Sequence, residues 1–475
     1  MANRRQRQRG AMLIAFSILL IVVLGFIGLA VDVGMVIGRK TELQNLADNA
    51  ALAAAAELTG TPEGLLAAVA KARSSAADRS AWRRRMDGAI LSEASIRFAS
   101  AAHAPASEWH AAGAVPDAAA ALFVRVDTQA SEPSLGKVAT AFLGAWSPAL
   151  RTLDTSARAV AGRSSLHLTP LAICALSASP ASPRTNAALL PAVELLEYGF
   201  RRGVAYNLLK LNPNGPAPEH FILNPLGQPG VLGPAMEVGD ASVLPFVCSG
   251  TVLYPRIGSA AVHVHRPFPA ALWPAFNARF NQHAGSGCHP VTAPPDTNIR
   301  AYPNTAANWW MTNTPDAPSA LSTGNPLLSV ADPESNATPP ALGSYGPLWS
   351  FSKAVRYNSA RPPGGYLPFA TSDWPKLYPA SPAAPAAKSG YPATPPYRTL
   401  GFQTAPTGNT GVAQRRLLHI PLLACPLPAG SDVLAQVRGI GRFFMTAPAS
   451  NGVLSAEFAG LANEGSLMGP AELLQ

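Results

Sequence analysis

Between residues 11 and 31 the chain reads AMLIAFSILLIVVLGFIGLAV, without one charged side chain. At ~1.5 Å of rise per residue, a helix of this length spans the ~30 Å hydrocarbon core of a bilayer. A cleavable signal peptide has a shorter apolar region, about 7–15 residues, ending in a small-x-small site. No such site follows the run before Asp32, Arg39 and Lys40, so the pattern predicts a retained transmembrane helix over 11–37. Past it, Leu43, Leu46, Ala47, Ala50, Ala54 and Leu58 recur at spacings of three and four, the apolar stripe of an amphipathic helix. Alanine favours helix and permits close approach of a neighbour. The stripe is therefore expected to pack on partner helices, with Leu43, Leu46, Ala47, Ala50 and Ala54 as the partner face, the alternative being an ordinary helix on the surface of its own domain. Gly60, Thr61 and Pro62 stop this helix. The two helices read as one rod, with Gly34 and Gly38 as its weak points.

The remaining pattern is shorter in period. Residues 61–118 are alanine-rich with scattered charge and predict helix and linker. From 119 the chain alternates as short strands, among them 122–126 and 155–160. Beyond residue 200, Pro-Gly and Asn-Pro turns separate apolar runs at 242–247, 251–254, 417–423 and 433–445. The expected fold class is α+β: a transmembrane helix continuing into an alanine-rich helix, then a β-rich exported domain with long Pro-rich loops. The expected layout is a basic tail (1–10), the transmembrane helix (11–37), the alanine-rich helix (38–60) and a helical linker region (61–118). A β-rich domain follows in two parts, 119–377 and 399–475, around a Pro/Ala-rich stretch at 378–398.

Composition sharpens this picture. The chain has 475 residues, of which 47 are proline and only 13% charged, with a net charge of +9. Proline at that level argues for loops and edge strands over helical bundles. The basic excess begins with Arg4, Arg5, Arg7 and Arg9 ahead of the apolar run, outweighing Arg39 and Lys40 behind it. Basic residues stay on the cytoplasmic side, so the N-terminus is expected in the cytoplasm and the bulk of the chain across the membrane. No basic stripe with aromatic partners points to nucleic acid. Cys174, Cys248, Cys288 and Cys425 lie beyond the anchor at wide spacing without a C-x-x-C pair. That disfavours zinc ribbons and redox motifs and favours disulfides in an exported domain, with three connectivities open. Asp32, at the outer end of the apolar run, is expected either to make a polar or packing contact or to sit in the outer headgroup layer, in neither case with a chemical role.

Candidate chemistry is thin. His263 and His265 share a strand face, with His283 and His289 as additional ligands, but no carboxylate is near in sequence. Ser249 and Ser286 sit beside glycines without the spacing of a nucleophile elbow. There is no phosphate loop or dinucleotide fingerprint. Neither a catalytic residue, a metal site nor a cofactor is expected. Trp309, Trp310, Trp349 and Trp374 fall in the Pro-rich half; they are either residues that pin loops or a surface for extended polypeptide or glycan.

The ordered set Arg9-Gly10-Ala11, the apolar run, Gly28-Leu29-Ala30-Val31-Asp32-Val33-Gly34 and Leu43-Gln44-Asn45-Leu46-Ala47-Asp48 resembles the N-terminal region of TadG-like proteins of bacterial tight-adherence (Flp-type) pilus assembly systems. The resemblance covers residues 9–58. Some members carry a metal site needing Asp-x-Ser-x-Ser; here Asp127-Thr128-Gln129-Ala130-Ser131 has Gln129 at a ligand position. Gly10-Ala11 resembles a prepilin processing site, but Ala15 stands where a glutamate belongs. The resemblance implies a non-enzymatic, single-pass inner-membrane component with a periplasmic domain. Its implied partners are other pilus or secretion proteins and further copies of the chain. The rival readings are a membrane-tethered periplasmic enzyme, with the four histidines gathered around a carboxylate, and a surface adhesin with Trp309, Trp310 and Trp349 exposed.

Overall fold

In the computed structural model, the described residues are 4–80, 91–130, 135–185, 189–226, 240–302, 347–378 and 393–474, apart from positions 216, 255, 258–260, 361, 363 and 451. Residues 379–392 of the Pro/Ala-rich stretch fall outside them, as do Trp309 and Trp310. The chain divides into two compact units, one of residues 1–164 with 469–475 and one of residues 165–468. The β-rich part therefore divides after Ser164. The expected start at 119 separated strands that share one sheet.

In the first unit a single helix, α1 (Arg4–Ala56), runs unbroken through Gly34 and Gly38. Its apolar half is largely exposed from Met12 to Ile37, apart from the buried Gly28 and Asp32, whereas Leu43, Leu46, Ala47, Ala50 and Ala54 are buried. A second helix, α2 (Pro62–Ser80), starts with proline in its first turn and with the Thr61 hydroxyl accepting the Gly64 amide at 3.1 Å. Leu65, Ala68, Val69, Ala72 and Ala76 of α2 join the α1 stripe in one core. Beneath it lies an antiparallel sheet of β1 (Ile96–Ala99), β2 (Phe123–Asp127), β5 (Arg158–Arg163) and β16 (Ala471–Leu474), in that order. β1 lies in the stretch expected to be helix and linker. Ile96, Phe98, Val124, Val126, Ala159 and Ala161 supply the sheet's buried face. The strands β3 (Lys137–Ala139) and β4 (Thr152–Asp154) form a separate pair that brackets a five-residue helix, α3 (Phe142–Trp146). The last strand closes the unit by pairing Leu473 with Ala161, so the second unit is an insertion between β5 and β16.

The second unit contains β6 (Leu171–Cys174), β7 (Ser182–Arg184), β8 (Glu194–Glu197), β9 (Phe200–Arg201), β10 (Ala205–Asn207), β11 (His220–Leu223), β12 (Ala261–His265), β13 (Leu417–Leu423), β14 (Asp432–Met445) and β15 (Ser455–Leu461). The ladder β14-β12-β11-β6-β13 returns to β14, because β13 pairs with both β6 and β14. Five strands thus close into a small barrel, which removes its open edges. Ala172, Phe221, Leu223, Val262, Val264 and Ala435 are buried in one of its cores. The far half of β14 continues outward to β15 and β10. Residues 242–247, one of the short apolar runs of the β-rich region, lie in a helix, α4 (Asp240–Ser249), which carries Pro245 inside it. Their apolar face needs one buried side, and a short run alone does not distinguish helix from strand. Ion pairs and ring contacts fix the irregular segments. Arg184 and Arg201 each lie 3.0 Å from the buried Glu194. Buried Glu457 accepts the amides of Phe351 and Ser352, and burial pushes its carboxyl up to about 7.

Candidate functional site

The residues singled out by the N-terminal pattern lie on α1, and the structure sorts them into two groups. Toward its C-terminal end the alanine stripe is closed over by the same chain: α2 packs on one side and β5, β2 and β16 on the other. The face expected to meet partner helices is thus an internal one. Helical periodicity reveals a buried side but not what buries it. The polar residues of the same stretch are also used locally. Gln44 donates to Asp48 at 2.7 Å and to the Arg158 carbonyl at 3.1 Å, tying the helix to β5. Arg163 donates to the Ala56 carbonyl at 2.7 Å and to Gly469, placing a cation at the C-terminal end of α1. Burial lowers the pKa of that guanidinium.

Asp32 forms the second group. It is fully buried, although most of its neighbours on the helix are exposed. Its carboxylate accepts the amides of Ala141, Phe142 and Leu143 at 3.0, 2.9 and 2.6 Å. These are donors at the start of α3 that have no intrahelical partner. One turn earlier, a Cβ on Gly28 would meet the Phe142 ring at 2.3 Å, so only glycine allows this approach. Gly28 and Asp32 together form a seat on which α3 rests. Beside it, a groove of about 480 Å³ is lined by Gly34, Gly38, Arg39, Glu42 and Lys137; Arg39 and Glu42 pair at 3.4 Å. The side chains of Arg4, Arg5, Arg7 and Arg9 lie outside the described residues.

The cysteines form two disulfides, Cys174–Cys425 and Cys248–Cys288. The first joins the ends of the parallel pair β6 and β13, where Leu423 is in register with Cys174. The second links α4 to the turn at 286–288. The grouping with metal-ligand geometry among the described residues is Cys174, Glu219 and Cys425, and its two sulfurs are committed to the disulfide. The four histidines do not gather into such a group among the described residues. His265 Nδ1 lies 2.9 Å from Asp432 on the neighbouring β14, a carboxylate far away in sequence. Ser286 donates to the His283 carbonyl at 2.8 Å and Ser249 contacts Thr251, both within turns. Asp127 pairs with Arg158 at 2.9 Å. Trp349 is not on a surface patch: it is fully buried, edge-on to Trp374 at 4.9 Å, and donates to Tyr378 Oη at 2.8 Å.

Sequence reasoning passed over α3 and met Gly28 only as part of the family-like run, not as the seat of a ring. The available signal was the uncharged stretch between Lys137 and Arg151 with Trp146 at its middle, submerged in a region read as alternating strands.

An apolar helix long enough to cross a membrane, running without a break into an α+β fold, defines the class: an α+β protein with a transmembrane-capable N-terminal helix. Residues 10–57 match the family model described as "Putative Flp pilus-assembly TadE/G-like", so the N-terminal region is of the Tad type. No curated protein and no solved structure matches the chain.

Proposed function

We propose that this chain is a non-enzymatic, membrane-anchored component of a Flp/Tad-type pilus assembly or secretion apparatus. The observation that carries the reading is the family match over residues 10–57, which coincides with α1 from the apolar run to its packed end. Arg4, Arg5, Arg7 and Arg9 keep the N-terminus in the cytoplasm by the positive-inside rule. The helix crosses the inner membrane once, and the folded units stand in the periplasm. Two disulfides suit that oxidising compartment. The alanine face is occupied internally, so helix packing with other assembly proteins, or with a second copy, falls to the exposed length of α1 from Met12 to Ile37. The folded units act as the periplasmic scaffold.

The test is genetic. Deleting the chain in its native host is expected to abolish surface pili, and supplying the full chain is expected to restore them. Pili in normal number on the deleted cells would reject the reading.

A further inference from the structure

The segment between β3 and β4 is unusual for a surface loop. From Val138 to Leu150 it reads VATAFLGAWSPAL, with no charge, between Lys137 and Arg151. Trp146 is 88% exposed, Phe142 51% and Leu150 37%. Beyond α1, these are three of the first unit's five exposed large hydrophobic residues among the described positions, the others being Leu66 and Leu473. Apolar side chains concentrated in this way mark a surface that meets something other than water.

The place where this segment is held says what it meets. Phe142 rests on Gly28, which lies one helical turn inside the outer end of the uncharged run, and the Asp32 carboxylate binds the first amides of α3. Phe26, Ile27, Leu29 and Val31 of α1, at the same height, are exposed. A bilayer that surrounds those residues cannot stop short of a helix seated among them. The backbone is prepared for such a place, where unpaired amides are costly. Three donors are taken by Asp32, the Ser147 amide is bonded to the Leu143 carbonyl at 3.0 Å, and the Thr140 amide to the Arg151 carbonyl at 3.0 Å. Tryptophan suits the boundary between headgroups and acyl chains. Lys137 and Arg151 at the two feet suit anionic headgroups.

We infer that residues 141–150 form a second membrane-contacting element, a wedge that sits in the outer leaflet beside α1 with Phe142, Trp146 and Leu150 in lipid. The wedge holds the first unit to the membrane surface at a second point, and Asp32 is the positioning residue that docks it. The inference rests on α1 crossing the bilayer, and the test separates the two.

The full chain is reconstituted in vesicles of phosphatidylcholine and phosphatidylglycerol. Single cysteines, Trp146→Cys, Leu24→Cys and Leu400→Cys, carry an environment-sensitive fluorophore; the native cysteines are held in disulfides. Nitroxide-labelled phosphatidylcholine is expected to quench the Trp146→Cys and Leu24→Cys labels several-fold more than iodide does, and iodide to quench the Leu400→Cys label. Adding Asp32→Ala is expected to lower lipid quenching at Trp146→Cys and leave it unchanged at Leu24→Cys. Iodide quenching at Trp146→Cys with lipid quenching kept at Leu24→Cys would overturn the wedge and leave the anchor standing. Iodide quenching at Leu24→Cys would overturn the anchor itself. If neither reagent quenches the Trp146→Cys label, protein covers the segment, either a second copy or a partner, and the lipid assignment is wrong. Unchanged quenching in the Asp32→Ala background would remove Asp32 as the positioning residue.

Discussion

Single residues carry long-range order in this chain. Asp32 was legible as a charge at the end of an apolar run, but its acceptor role was not, because its donors lie more than a hundred positions away. Two histidines of the second unit give the residue scale its own test. His220 Nδ1 accepts the Phe268 amide at 3.0 Å, and burial lowers its pKa from 6.5 to about 4. Burial, with Arg442 and His167 nearby, does the same to His419. Below pH 6.5 the unfolded chain takes up protons at both rings and the folded chain does not until about pH 4. Stability is therefore present above pH 6.5 and lost as the pH falls toward 4, by at most about 3 kcal/mol per ring. Urea unfolding followed by tryptophan fluorescence is expected to show this slope. Glu457, raised to about 7 by burial, contributes with the opposite sign over part of this range. The His220→Gln/His419→Gln variant should therefore abolish the loss on acidification and leave stability rising as the pH falls from 7 toward 4.5.

At the scale of elements, the helical stripe was readable and its neighbours were not. Spacing at three and four placed Leu43 to Ala54 on one face correctly, but hydropathy is silent on whether a buried face meets another chain or a strand from residue 160 of the same one. The close packing of α1 on α2 and β5 follows from alanine, which allows backbones to approach. Ala50 is wholly buried in that contact. Ala50→Leu is expected to destabilise the first unit by about 1–3 kcal/mol through overpacking, measured by urea unfolding of the full chain in detergent. Leu66→Ala, at an exposed position on α2, should stay within about 0.5 kcal/mol of the parent. A large loss at Leu66 and none at Ala50 would place the buried face elsewhere.

For the whole molecule, the α+β class and the membrane-capable helix were legible in the sequence, but not the division into units. The strands of the first unit are gathered from residues 96–163 and 471–474, and no local pattern announces that the chain's end returns to its beginning. Barrel closure was hidden for the same reason: β6 and β13 are parallel neighbours whose cysteines are 251 residues apart. The pairing of the four cysteines was likewise undetermined, since spacing does not encode which strands become neighbours. Once the fold is in hand, each disulfide joins segments of the second unit alone.

The proposed topology is a single membrane crossing with the folded chain beyond it. Gln6→Cys and Ser156→Cys, made singly in the full chain, can be exposed in intact spheroplasts to a charged maleimide that does not cross the inner membrane. Labelling of Ser156→Cys before lysis, and of Gln6→Cys only after it, is the predicted result. Labelling of Gln6→Cys in intact spheroplasts, or protection of Ser156→Cys until lysis, would contradict it.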